Sequence, residues 1–507
     1  MTWYNTRHLT VVRGRLPIRL VLLLATLSLV SALVLAWLPD WLTSWDSVRI
    51  VGVCTLLPTV CFLSAWSMAF GDPRRASLKA VLVIWAFLLI SEEVFSRAGG
   101  DSESALQGRF SVTAYGEISL WIMAFLLLLV LSLKNTQHIR YMFSGQYKWL
   151  SIFGFLCLVS VAYSPRPLFS FSWAFKLCLV IWVLGMCSTL IRDTRDILAF
   201  VRTTFWACSV LLVVPVWNAF ADPTTGFEGG RLGDSPTSLS VIACLLLVFS
   251  LTLRFSATLG WRIICSIFSV IALAVMFLAG GKAGIVGGFL SVILLLLMKR
   301  KLGSAITLLG GMVGLGILLL SLSGSLLSYF NRYAESGQVD TFTGRTDLWI
   351  AALPAIRQNL VLGHGYMASK FVSIQLEGVR WEAGHLHNGF VDVLYNNGLV
   401  GLVLILFMNA MIIKNLLRGN KHPGAPRELY EIAVGLLAIY ANLLINAFFN
   451  ATIGGRPSAL FMIFLAVFVV SESLGKQLTQ NSVRSAQLEK ITRSAEGLKH
   501  TNSVAYT

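Results

Sequence analysis

The chain has 507 residues, of which 56% are hydrophobic and only 13% are charged, and its mean hydropathy is +0.75. A soluble domain carries about 25% charged residues, so this composition excludes a soluble protein built from several buried cores. The formal net charge of +16 would indicate nucleic-acid binding in a soluble protein, but in a membrane protein the placement of the charges matters more. We therefore predict a polytopic helical membrane protein with no nucleic-acid partner.

Apolar runs of about the 20 residues that span a bilayer recur along the whole chain. The first follows several arginines but precedes no convincing cleavage site, so we interpret it as a retained helix rather than a signal peptide. The eight cysteines lie inside such runs without a metal-type C-x-x-C pair, which is typical of small core residues. We predict an all-α fold with about fourteen spans: 20–38, 49–70, 79–95, 115–133, 149–164, 169–191, 197–220, 237–254, 263–280, 283–298, 303–323, 389–413, 431–449 and 459–474.

Positive residues are distributed unevenly between alternate loops. With the N-terminus inside, most of the 40 Lys and Arg fall on the cytoplasmic side. Because the Lys/Arg bias of short loops sets orientation, both termini are predicted to be cytoplasmic. The predicted organisation is 1–148 with helices 1–4, 149–323 with helices 5–11, a periplasmic loop 324–388, 389–475 with helices 12–14, and a polar cytoplasmic tail 476–507.

The loop 324–388 is much longer than the others, and loops above about 15 residues are usually functional or disordered. It contains an amphipathic run through Leu348, Trp349 and Ile356 that suits the membrane interface. We expect this loop to carry function.

Several cations on the outer side lie in flexible or helix-starting sequences. Arg231 follows Gly229-Gly230, Lys282 follows Gly280-Gly281, and Arg345 precedes a helix-like run. Glycine lets a backbone approach an anion closely, and clustered cations are typical of phosphate binding. Arg166, Lys176, Arg380 and Arg456 are further outer cations. The alternative for each is that its side chain extends to lipid headgroups.

His387 precedes an apolar helix at the outer membrane edge. A histidine there can be neutral near pH 7 and accept a proton from an attacking hydroxyl. Gly398 and Gly401 are expected to thin the helix where a neighbour packs closely. The alternative is a helix-capping or headgroup-facing histidine.

The motif from His387-Asn388 to Gly398-x-x-Gly401 resembles the signature of the O-antigen ligase and polysaccharide polymerase superfamily. The segments around Arg231, Lys282 and Arg345 resemble its other motifs, in order, over about residues 150–475.

The resemblance implies a metal-independent GT-C-type glycosyltransferase, without cofactor, at the outer face of the inner membrane. It would move a glycan from an undecaprenyl-diphosphate carrier to an acceptor sugar hydroxyl. It implies His387 as general base, supported by Asn388, with Arg231, Arg345 and Lys282 at the pyrophosphate. Lys282 stands where many relatives carry Arg, and His364 stands where an aromatic residue is expected.

Several functions remain open. We favour a polymerase of exopolysaccharide or O-antigen repeat units, acting with a flippase and a chain-length regulator, over an O-antigen ligase that uses lipid A core as acceptor. A lipid-linked oligosaccharide flippase would have short loops, which the segment 324–388 does not fit. A metal-dependent enzyme could use Glu92 and Glu93, but adjacent helix residues point about 100° apart.

Overall fold

The computed structural model describes residues 73–97, 112–133, 137–221, 227–228, 231–232, 236–255, 258–299, 345–371, 385–418 and 427–480, with single positions between 303 and 318. The predicted spans 20–38 and 49–70, most of the predicted span 303–323 and the tail beyond 480 lie outside these residues. The chain divides into two compact units, 1–83 and 84–507. Of the first, only 73–83, the beginning of one helix, is described.

The described residues are almost entirely helical, with one hairpin of two-residue strands between the sixth and seventh helices. The helices are α1 (Pro73–Arg97), α2 (Val112–Leu133), α3 (Gln137–Met142), α4 (Tyr147–Val159), α5 (Pro167–Leu190), α6 (Thr194–Ala221), α7 (Pro236–Phe255), α8 (Leu259–Ala279), α9 (Lys282–Met298), α10 (Arg345–Gln358), α11 (Gly389–Arg418), α12 (Arg427–Phe449) and α13 (Ala459–Gln480); the strands are β1 (Phe227–Glu228) and β2 (Arg231–Leu232). Short 3₁₀ turns cover Ser160–Tyr163 and Ala368–Phe371.

Seven of these helices are long and apolar enough to cross a membrane, namely α5, α6, α7, α8, α11, α12 and α13. Shorter apolar helices lie within α2, α4 and α9. The prediction of an all-helical membrane protein is therefore confirmed, apart from the small hairpin. The count of fourteen spans is not reached within the part of the chain that the structure describes.

Helix packing relies on small residues. Within α7, Ser240 lies against Gly281 and Gly284 at the start of α9, where an added Cβ would approach it within 3.0 Å. The Ser240 hydroxyl donates to the carbonyl of Gly281 at 3.2 Å. Between apolar spans there is little hydrophobic drive to associate, so close backbone approach and such hydrogen bonds hold the helices together.

One face of α8 is apolar yet uncovered. Leu259, Ile263, Ile267 and Val270 are 53–74% exposed, and their spacing puts them on one stripe of the helix. At the other extreme, 94% of the apolar window of α13 is buried inside the protein. An outer helix that exposes an apolar stripe and an enclosed central helix are what a lipid-embedded bundle requires, and the chain is a multi-pass membrane protein.

Helix α11 is interrupted at Gly398, whose φ of 63° and ψ of −164° are not helical. The segment after α10 inserts its backbone into this break and satisfies the peptide groups that the interrupted helix leaves free. Four hydrogen bonds join the two segments: His364 N to Tyr395 O at 2.9 Å, Gly365 N to Asn396 O at 2.9 Å, Leu399 N to Leu360 O at 2.8 Å, and Val400 N to Val361 O at 3.3 Å.

The expectation of close packing is met at Gly398, because a Cβ there would collide with the backbone of Val361 and Leu362. At Gly401 the atoms that an added Cβ would meet belong to Asn397 and Val393 of α11 itself. Of the two glycines Gly398 and Gly401, it is therefore Gly398 that makes room for another segment.

Candidate active site

His387 lies in the turn that leads into α11 and adopts a left-handed backbone with φ of 52°. Histidine is among the few non-glycine residues that occupy this region with some frequency. The side chain is partly buried. Immediately after it, Asn388 caps α11, because its Oδ1 accepts hydrogen bonds from the backbone of Phe390 at 3.0 Å and Val391 at 3.1 Å. Asn388 is thus the N-cap of α11, and its supporting role in the site stays a prediction.

The peptide group of Leu386, directly before His387, is held from two sides. Its N–H donates to Oδ1 of Asp392 at 3.1 Å, and its carbonyl accepts from the indole of Trp349 at 2.7 Å. Asp392 is buried in α11, whereas Trp349 belongs to α10. This double contact fixes the histidine turn between the two helices.

Arg345 starts α10, as the sequence predicted, one turn before Trp349. Burial of His387 lowers its pKa, the positive charge of Arg345 lowers it further, and the pKa falls to about 4. The structure thus brings together Arg345 and His387, which lie far apart in sequence. At neutral pH the His387 imidazole is uncharged and able to accept a proton.

His385 forms a pair with His387. The two ring centroids lie 4.0 Å apart at an interplanar angle of 64°. Burial, followed by the charges of His387, Arg456, Lys370 and Arg345, lowers the pKa of His385 to about 3. Both imidazoles are therefore neutral at pH 7, in surroundings that are positive because of the three permanent cations.

Lys370 is held by contacts that the local sequence does not reveal. It lies in the 3₁₀ turn Ala368–Phe371, where Ser369 binds Asn396 of α11 through its N–H at 2.7 Å and its hydroxyl at 3.1 Å. No local sequence signal marks Lys370, because its position depends on the long-range contact of its neighbour Ser369 with Asn396.

Arg456 was one of several outer cations in the sequence, with nothing to single it out. The preceding residue, Gly455, accepts a hydrogen bond from the Tyr366 hydroxyl at 2.7 Å. Tyr366 is itself buried and anchored by Ser160 and Ser170. The tyrosine therefore fixes the backbone next to Arg456, whose charge acts on His385.

The other two predicted phosphate ligands are placed differently. Arg231 lies in β2 opposite Glu228, but its side chain lies outside the described residues. Lys282 starts α9 and is exposed. The cations whose charges act on the histidines are Arg345, Lys370 and Arg456, and Lys282 is not among them. Convergence of Arg231 and Lys282 on this site stays a prediction.

His364 has a structural explanation that the sequence could not provide. Its ring stacks on Tyr395 with centroids 4.6 Å apart, its Nε2 donates to the Ala355 carbonyl at 2.8 Å, and its Nδ1 accepts from Asn359 at 3.1 Å. The imidazole therefore fills the position expected for an aromatic residue and also joins the end of α10 to the broken helix α11.

Glu92 forms an ion pair with Lys176. Its Oε2 lies 3.8 Å from Nζ of Lys176, which also pairs with Glu117, and all three side chains are buried. The side chain of Glu93 lies outside the described residues. No group of three or more His, Cys, Asp or Glu that could hold a metal occurs in the described ranges.

These features define a multi-pass membrane protein with a cationic site, built around two neutral histidines, at the N-terminal end of a broken helix. Residues 267–406 of the chain match the family model described as O-antigen ligase. The matched segment contains Lys282, Arg345, His387 and Asn388, whereas Arg231 lies before it. The match confirms the resemblance seen in the motifs and supports an O-antigen ligase- or polymerase-type function. A comparison with curated proteins gave no match.

Proposed function

We propose that the protein is a polysaccharide polymerase that transfers undecaprenyl-diphosphate-linked glycan to an acceptor sugar hydroxyl. The observation that carries this proposal is the match of residues 267–406, which contain Arg345 and His387, to the family model described as O-antigen ligase. His387 lies in the turn before α11 and Arg345 starts α10. A histidine base and a fixed cation suit a reaction in which a hydroxyl loses a proton while an anionic diphosphate departs.

In this reaction the acceptor oxygen attacks the anomeric carbon, and the bond from that carbon to the diphosphate oxygen breaks. The hydroxyl proton passes to His387, and the bonding electron pair leaves with the diphosphate. Fixed cations around the histidines stabilise this developing charge without reorganising. Arg345 provides a planar guanidinium at the start of α10, and Arg231 and Lys282 are assigned to the same diphosphate by the motif resemblance.

The proposal includes a location and an architecture. The site faces the periplasm, the protein lies in the inner membrane with both termini cytoplasmic, and the 507 residues form about fourteen spans in a GT-C-like arrangement. The reaction uses no metal. The substrate would come from a flippase, and a chain-length regulator would control the product.

The second candidate is an O-antigen ligase, which is favoured by the description of the matched family. The two activities share the lipid-linked donor and differ in the acceptor. Purified protein in liposomes, supplied with lipid-linked repeat units, distinguishes them: a polymerase lengthens the glycan on its carrier, whereas a ligase transfers it only when lipid A core is added. If folded protein makes neither the lengthened glycan nor the transfer product, both functions are overturned.

Replacing Arg345 with lysine should remove most of the activity, because an ammonium cannot reproduce the planar two-donor contact of a guanidinium with phosphate. We expect a fall of about 10-fold or more in turnover, the effect of losing roughly 1.4 kcal/mol. The measurement is polymer formation per molecule of folded protein.

The matched control is Arg357→Lys, since Arg357 is exposed near the other end of the same helix. It should retain normal activity. Normal turnover of the Arg345→Lys protein would remove Arg345 from the site, and the same test applies to Arg231→Lys.

The Lys/Arg asymmetry predicts that residues 324–388 face the periplasm and 414–430 face the cytoplasm. Reporter fusions at Gln338 and Lys421 should therefore give opposite signals, with a periplasmic reporter active only at Gln338. The same compartment for both fusions would contradict the predicted topology.

A further inference from the structure

The two histidines of the site are not chemically equivalent. The backbone N–H of His387 donates a hydrogen bond to Nδ1 of His385, at 3.2 Å. A ring nitrogen that accepts a hydrogen bond carries no proton, and a neutral imidazole carries its single proton on the other nitrogen. His385 is therefore fixed with hydrogen on Nε2, as a neutral donor.

Fixed segments place cations near His385. Ser369, directly before Lys370, binds Asn396, and Gly455, directly before Arg456, binds Tyr366. The charges of Arg456, Lys370 and Arg345 all act on His385. Positive charge there favours an anionic group of a substrate beside His385, and His387 is then left for the neutral hydroxyl.

The turn that holds this arrangement is rigid. Leu386, between the two histidines, is hydrogen-bonded to Asp392 and to Trp349, and Asn388 caps the helix that follows. A preorganised donor of this kind stabilises charge that develops in a reaction, because it needs no reorientation.

We propose that His385 is a second substrate-contacting residue, which donates a hydrogen bond from Nε2 to an oxygen of the departing diphosphate while His387 accepts the proton of the hydroxyl. This role rests on the proposed function and deepens it. His385 keeps its own proton throughout. As the bond between the anomeric carbon and the diphosphate oxygen breaks, the electron pair moves to the diphosphate, where the Nε2–H and the neighbouring cations stabilise it.

Two substitutions separate the two ring nitrogens. Glutamine places an amide N–H near the position of Nε2, so His385→Gln keeps the donor. Asparagine places an oxygen near the position of Nδ1, so His385→Asn keeps the acceptor for the His387 backbone and loses the donor. Loss of one such donor typically costs about 10²–10³-fold in kcat. We expect a loss in that range for His385→Asn and a loss below about 10-fold for His385→Gln.

Two measurements test the proposal besides turnover. Undecaprenyl diphosphate should bind purified wild-type protein and His385→Gln more tightly than His385→Asn. Nitrogen NMR of protein labelled with ¹⁵N-histidine should show His385 protonated at Nε2 at pH 7, a signal assigned by its loss in His385→Gln.

The outcomes distinguish a failure of the proposed function from a failure of the role of His385. If wild-type protein does not bind undecaprenyl diphosphate, the proposed function fails and the role of His385 fails with it. If it binds normally but the Gln and Asn variants have equal activity, or if the His385 proton is on Nδ1, the role of His385 alone is overturned.

Discussion

Replacing His387 with alanine should abolish polymer formation, while repeat units accumulate on their lipid carrier. The acceptor hydroxyl has a pKa far above 7, and general base catalysis typically contributes about 10²–10⁴-fold. The protein should remain inserted, because His387 lies in a turn before α11 rather than in a packed core. His387→Asn is the better-matched variant, since asparagine tolerates the left-handed backbone at this position more easily than alanine does. The measurement is glycan elongation by purified protein.

His385→Ala is a comparison rather than a neutral control: it removes the proposed donor, at a cost of about 10²–10³-fold, but leaves the base, and should therefore do less harm than His387→Ala. The pH profile gives an independent check. With the pKa of His387 lowered to about 4, the base is unprotonated above that pH, so kcat/KM in wild-type protein should stay level from pH 7 to about pH 5. An ordinary histidine, with a pKa of about 6.5, would lose activity over that range. Near-normal elongation by either His387 variant would end the general-base proposal.

Replacing Gly398 with alanine should prevent correct folding of the site and lower the amount of inserted protein. The backbone dihedrals of Gly398 lie in a region that is essentially restricted to glycine. A residue with a side chain in this conformation destabilises the fold by about 1–3 kcal/mol. In addition, the new Cβ would overlap the carbonyl of Val361, so the segment after α10 could no longer pair with the broken helix. Lower thermal stability in detergent, together with loss of turnover, is the expected result.

The matched control is Gly260→Ala. Gly260 lies in the first turn of α8, with no atom within 4 Å of an added Cβ, and alanine favours the helix by about 0.5–1 kcal/mol over glycine. This variant should therefore be as stable as the wild type or slightly more stable. Equal stability of the Gly398→Ala and Gly260→Ala proteins would show that the break in α11 is not needed.

Part of the site could be predicted from the sequence because its signals are local. A histidine and an asparagine directly before an apolar run indicate the start of a helix, and Asn388 is indeed its cap. The run after Arg345 was predicted as a helix, and α10 begins at that residue. Gly398 was expected to admit a close neighbour, but the sequence could not identify that neighbour as Val361.

Other members of the site depend on contacts between distant segments. Lys370 is held in place through Asn396, and Arg456 through Tyr366. Neither lies in a sequence pattern that a charge count or a helical period can detect. The same applies to His364, whose stacking on Tyr395 replaces the aromatic residue that was expected there.

By itself the sequence determined that this is a multi-pass helical membrane protein and which histidine motif marks its candidate site, because the length of apolar runs and the order of short motifs are properties of the linear chain. The tertiary structure decided that α11 breaks at Gly398, that the charge of Arg345 acts on His387, and that the backbone N–H of His387 donates to Nδ1 of His385. These features arise from hydrogen bonds and charges contributed by segments far apart in the chain, and their geometry exists only after the helices have packed.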